Sequence, residues 1–160
     1  MNIQRILFPA IRDKLSSTRK IIILYGARQV GKTTLINEVL GTFPGRILCV
    51  NADELKYFDI LSSRNLKKIR ALVDGYDILF IDEAQRIPDV GINLKIMHDQ
   101  IPLLKVVATG SSSFDLTNKV QEPLTGRAWT HTLFPVSFLE LAQHYNRFEL
   151  DELLEQCLIY

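Results

Sequence analysis

Apolar residues fall along this chain in two alternating rhythms. Short, nearly unbroken apolar runs occupy residues 21–25, 46–51, 78–82, 105–109 and 128–134. All but the last are continuous, the pattern of strands covered on both faces. Between the runs, apolar positions return every three or four residues and predict helices. Over 34–40, Leu35 and Val39 share a face with Ile36 and Leu40, and Gly41 marks a stop. Residues 55–61 and 65–73 read as helices. So does 88–100, with Pro88 near its start and Pro102 beyond its end. Pro135 ends the last strand, and Ser137 can cap a short helix with Glu140 at the capping-box position. Residues 149–158 form a final amphipathic segment. At the N-terminus, Ile3, Ile6, Leu7, Ala10, Ile11 and Leu15 predict an amphipathic helix over 1–17 that breaks at Pro9. Alternating strands and helices predict a three-layer α/β/α sandwich around a parallel sheet.

The loop between the first run and its helix changes the picture from fold to chemistry. Gly26-Ala27-Arg28-Gln29-Val30-Gly31-Lys32-Thr33 fits G-x-x-x-x-G-K-[ST]. Glycines let the backbone turn tightly, so that successive N–H groups converge on phosphate oxygens. Lys32 can reach the β- and γ-phosphates, and the Thr33 hydroxyl can ligate Mg²⁺. A helix starting near Gly31, with Thr34 in its first turn, adds a positive dipole end. Strand, glycine loop and helix together predict a nucleoside triphosphate site formed by residues 26–34.

The third run ends in two carboxylates, Asp82-Glu83. Asp82 at the strand tip is expected to hold Mg²⁺ through water, with Thr33 holding it directly. Glu83 is placed to polarise a water for attack on the γ-phosphate. A metabolite kinase has no need of a water-activating carboxylate there, so the pair favours hydrolysis. The fourth run leads into Thr109-Gly110-Ser111-Ser112-Ser113, whose hydroxyls can orient the attacking water; Ser111 is preferred to Thr109. The competing reading is a Ser-rich turn that caps the next helix. Arg127, just before the last run, can approach phosphates of its own or a neighbouring subunit and stabilise transition-state charge. A structural ion pair or partner contact is the alternative. Arg28 is a second arginine candidate, set against a solvent- or partner-facing role.

The 160 residues suit one compact domain, and 47% hydrophobic with 23% charged residues is an ordinary globular composition. A formal net charge of +1 argues neither for nor against nucleic acid. Arg64, Lys67, Lys68 and Arg70 read as a solvated helix face. No apolar run is long enough to span a membrane, and the N-terminus has no signal-peptide profile. Cys49 and Cys157 have no metal-ligand spacing and are expected to be reduced core residues of a cytoplasmic protein.

The ordered set from Tyr25 to Leu35, then Asp82-Glu83-Ala84-Gln85, then residues 109–113, 124–128 and 133–141, resembles the prokaryotic AAA-type ATPases related to the archaeal ATPase group. The resemblance implies an AAA+-like P-loop fold with sheet order 5-1-4-3-2, ATP and Mg²⁺ as ligands, and residues 109–112 as a sensor region. It also implies a helical lid and a C-terminal domain after Leu158. The chain stops at Tyr160, so residues 1–160 are expected to be one ATPase domain truncated before those parts. The leading expectation is Mg²⁺-dependent conversion of ATP and water to ADP and phosphate. That hydrolysis would couple nucleotide state to a protein partner or to the missing C-terminal region, with an oligomer left open for the full-length protein. A binding switch without turnover and a nucleic-acid-dependent, helicase-like motor are the alternatives. The chain lacks room for a second motor domain and carries no basic, aromatic-interleaved track for single strands.

Overall fold

The computed structural model describes residues 3–111 and 122–158, and the side chains among these as far as Glu155. In chain order the elements are α1 (Leu7–Ser17), β1 (Ile21–Gly26), α2 (Lys32–Gly41), β2 (Ile47–Asn51), α3 (Leu55–Leu61) and α4 (Leu66–Val73). They continue with β3 (Ile78–Asp82), a 3-10 turn (Ala84–Arg86), α5 (Val90–Gln100), β4 (Lys105–Ser111), β5 (Ala128–Leu133), α6 (Phe138–Leu141) and α7 (Arg147–Leu158).

The strands form one five-stranded sheet in the order β2-β3-β4-β1-β5, with every pairing parallel. This is the expected 5-1-4-3-2 order, counted from the opposite edge. Alternation along β1 feeds two cores. Ile21, Ile23 and Tyr25 pack with Leu61, Ile69 and Leu94 from α3, α4 and α5. Ile22 and Leu24 pack on the other face with Ile11, Leu15, Leu35 and Ile36 from α1 and α2. Burying such a side chain is worth ~1.5–3 kcal/mol, so β1, an interior strand, anchors both layers.

Four expectations need correction. Pro9 does not break the first helix, because it is the third residue of α1, where backbone N–H groups have no intrahelical partner to lose. The other end of α1 is held by Lys105, whose ammonium donates to the carbonyls of Leu15 and Thr18. Next, β2 is not a doubly covered strand. It lies at the sheet edge, only Val50 is buried, and Cys49 is exposed rather than a core residue. The side chain of Cys157 lies outside the described residues. Finally, the helix expected from Pro88 starts at Val90, after Asp89 adopts a left-handed conformation with φ 50°. No described helix is long and apolar enough to cross a membrane.

Candidate nucleotide site

The glycine loop joins the carboxyl end of β1, which lies between parallel β4 and β5, to the start of α2. Its two motif glycines are required for different reasons. A Cβ on Gly26 would stand 2.5 Å from the Leu133 carbonyl oxygen, because β1 and β5 run side by side there. Gly31, the residue before α2, has φ +91°, a backbone that side chains other than glycine's adopt only with strain. Gln29 also has a positive φ, 64°. Lys32 is buried to 5% exposure, and its ammonium donates to the carbonyls of Gly26 and Ala27 at 3.0 and 2.8 Å. The lysine therefore spans the loop that it belongs to.

Thr33 and Asp82, 49 residues apart in sequence, meet here: the threonine hydroxyl donates to Asp82 Oδ2 at 2.8 Å. Asp82 Oδ1 accepts from the hydroxyl of Thr109, which is fully buried on β4. Two hard oxygen donors set side by side suit Mg²⁺, which usually keeps waters and phosphate oxygens as its remaining ligands. No group of three or more His, Cys, Asp or Glu residues able to hold a metal exists among the described residues.

Glu83 follows in the left-handed region (φ 55°, ψ 39°). Its N–H donates to Asp82 Oδ1 at 3.2 Å and to Thr109 Oγ1 at 3.3 Å, while its carboxylate accepts from the Gln85 amide. Ser111 is at the tip of β4, in register with Gly26, and its N–H donates to Gln85 Oε1 at 3.3 Å. Of the two hydroxyl residues considered from sequence, Thr109 is the one in contact with Asp82. Ser112 and Ser113 lie outside the described residues. Exposed Arg28 and Gln29 line a cavity of about 370 Å³ with Asp53, Glu83 and Arg86, in which Arg86 pairs with Asp53 at 3.2 Å. Thr34 lines a separate cleft of about 200 Å³ on the other flank of the loop, with Ile3, Arg5, Val30, Gly31 and Leu35.

Arg5, which the sequence does not single out, ties three segments together. Its guanidinium donates to Glu140 at 3.0 Å, to the Val30 carbonyl in the glycine loop at 2.8 Å, and to the Phe134 carbonyl after β5. Both members of the ion pair are buried, at 8% and 4% exposure. Burial pushes the Glu140 carboxyl up. The N–H groups of Ser137 and Ile6 and the Arg5 guanidinium more than offset this and hold it down to about 2. The Ser137–Glu140 capping box forms as expected, but the same carboxylate also serves Arg5.

Arg127 does not join the site of its own chain. Its carbonyl accepts from Ile21 N–H at the start of β1, the opposite end of that strand from the loop. Six residues of strand separate them, roughly 17 Å. Its side chain pairs with Asp99 at 2.9 Å, and together with His98 it holds the Asp99 carboxyl down to about 2.

A parallel sheet in this order, with a glycine loop between β1 and α2 and a carboxylate pair at the end of β3, defines a P-loop nucleotide-binding protein. The particular family follows from comparison with known proteins. A family model described as AAA domain matches residues 18–142, and the chain belongs to that family. It is 30% identical over 151 residues to an uncharacterised protein of Methanocaldococcus jannaschii, covering 88% of this chain and 31% of that protein. An uncharacterised protein of Mycobacterium tuberculosis is 34% identical over 113 residues, covering 67% of this chain and 23% of its own length. The chain thus spans a third or less of these relatives. Among solved structures, a Walker-type ATPase of Pyrococcus abyssi superposes with a TM-score of 0.59 at 18% identity, covering 96% of this chain and 63% of that one. The Pif1 helicase of Candida albicans gives 0.58 at 13% identity, covering 89% and 42%. At these identities the two structures speak for the fold alone.

Proposed function

We propose that this domain binds ATP with Mg²⁺ and hydrolyses it to ADP and phosphate. The observation that carries the reading is the hydrogen bond between Thr33 and Asp82, with Lys32 and Glu83 as their chain neighbours. Residues 26–34 would cradle the phosphates through backbone N–H groups, and the Lys32 ammonium would exchange its loop carbonyls for phosphate oxygens. Thr33 and Asp82 would hold Mg²⁺, which neutralises charge on the phosphates. Glu83 would take a proton from the attacking water. Ser111, or Thr109 acting through Asp82, would help to fix the geometry of that water. Exposed Arg28, facing the same cavity as Glu83, would supply positive charge there or meet a partner.

Nucleotide state would then be passed to a protein partner, to further domains of a longer chain or to a neighbouring subunit. Two variants test the chemistry, with phosphate release read beside ATP affinity. Glu83→Gln is expected to keep ATP binding and slow hydrolysis at least a hundredfold, whereas Lys32→Ala weakens binding itself. Equal turnover by Glu83→Gln and the unmodified protein excludes Glu83 as the base. A protein that binds ATP with Mg²⁺ but releases no phosphate on long incubation would be a binding switch. Stimulation by single-stranded DNA would point to a nucleic-acid motor.

A further inference from the structure

We propose that Gln85 is a positioning residue that ties the Glu83 carboxylate to the tip of β4, so that the two act as one unit. The inference rests on the reading of Glu83 as the base. Gln85 lies in the 3-10 turn that begins as the chain leaves Glu83, and its amide is used at both ends. The NH₂ donates to Glu83 Oε2, and Oε1 accepts from Ser111 N–H at 3.3 Å. A primary amide offers a donor and an acceptor on one planar group; a carboxylate offers no donor and an ammonium no acceptor.

The backbone of Glu83 is held independently. Its N–H is shared between Asp82 and Thr109, and its φ of 55° fixes the direction in which the side chain leaves the strand. That direction is right for a carboxylate bordering the cavity with Arg28 and Arg86, but a two-carbon side chain still has rotamers to choose among. The Gln85 amide selects one and engages a single carboxylate oxygen, leaving the other for water. Because Gln85 is itself anchored on Ser111, a displacement of the β4 tip reaches Glu83 through two hydrogen bonds. A base misplaced by about 1 Å can lose roughly a hundredfold in rate.

The test compares single-turnover phosphate release and Mg²⁺–ATP affinity for the unmodified protein, Gln85→Ala, Gln85→Glu, Glu83→Gln and the Glu83→Gln/Gln85→Ala pair. Gln85→Glu keeps the acceptor for Ser111 and turns the donor into a second carboxylate oxygen facing Glu83. Both Gln85 variants are expected to hydrolyse ~10–100-fold more slowly, with affinity within about twofold of the unmodified protein. In the Glu83→Gln background, Gln85→Ala should add less than about a twofold loss, because the group that it positions is already disabled. The proposal is overturned if Gln85→Glu turns over at the unmodified rate while Glu83→Gln is slow. It is equally overturned if the two losses multiply in the double variant. Full turnover by Glu83→Gln is a different pattern: there the base reading itself fails, and this inference goes with it.

Discussion

Gly26 and Gly31 close the same loop, yet a methyl group would harm each in its own way. At Gly26 the added Cβ meets the Leu133 carbonyl at 2.5 Å, so β5 would have to move away from β1. At Gly31 there is room, since the nearest atom is Arg5 Nη1 at 3.7 Å, but the φ of +91° is strained for alanine. Gly31→Ala is therefore expected to cost ~1–2 kcal/mol, the penalty of a left-handed residue. Gly26→Ala should cost more, because its obstacle is backbone rather than a flexible side chain. Urea unfolding reads the stabilities, and titration with a fluorescent ATP analogue reads the loop. Equal stability losses in the two variants would contradict this division. The signature in the sequence told which positions must be glycine. Only the packing of β1 on β5 tells why the first of them is.

Among the elements, β5 is paired directly with β1, and a buried Arg5–Glu140 ion pair links α6 to the glycine loop, where Arg5 also donates to the Val30 carbonyl. Strands, helices and the loop itself were legible because each is written in local periodicity and turn chemistry. The Arg5–Glu140 pair was not, because 135 residues separate its members and nothing local marks a buried arginine near the N-terminus. Glu140 was visible as a cap, since that spacing is local, while its second role was hidden. The pair makes a pH prediction. The Glu140 carboxyl, ordinarily near 4.5, is held at about 2 in the folded protein, so its contribution is fully present above the unfolded value. The contribution is lost as pH falls through the folded value, and linkage puts it at ~3 kcal/mol. Glu140→Gln leaves Arg5 buried without its counter-charge and should cost ~3–5 kcal/mol near neutrality. The stability gap between the two proteins should then shrink steadily as pH drops from about 4.5 towards 2. Denaturant unfolding at several acidic pH values checks it, and a gap constant over that range would show that the charge is not what Glu140 contributes.

Across the whole molecule, the parallel sheet gives the two ends of the domain different tasks. Residues that end or directly follow strands, such as Gly26, Glu83 and Ser111, gather at the carboxyl end, where open α/β sheets bind their ligands. Arg127 precedes β5 and so belongs to the other end, a distinction that strand direction already carried in the sequence and that motif proximity obscured. There it meets Asp99 from α5, with His98 beside it, and fastens the start of the edge strand to the helix layer. The pair is partly exposed, which limits its worth to the modest range of surface ion pairs. Arg127→Ala is accordingly expected to leave ATP affinity and turnover within about twofold in a dilute sample shown by sedimentation to be monomeric. A tenfold loss there would mean that the far end of the sheet reaches the phosphates after all. A loss that emerges only as the protein is concentrated into an assembly would instead place Arg127 against a neighbouring subunit's nucleotide, the one route to phosphate that its position leaves open.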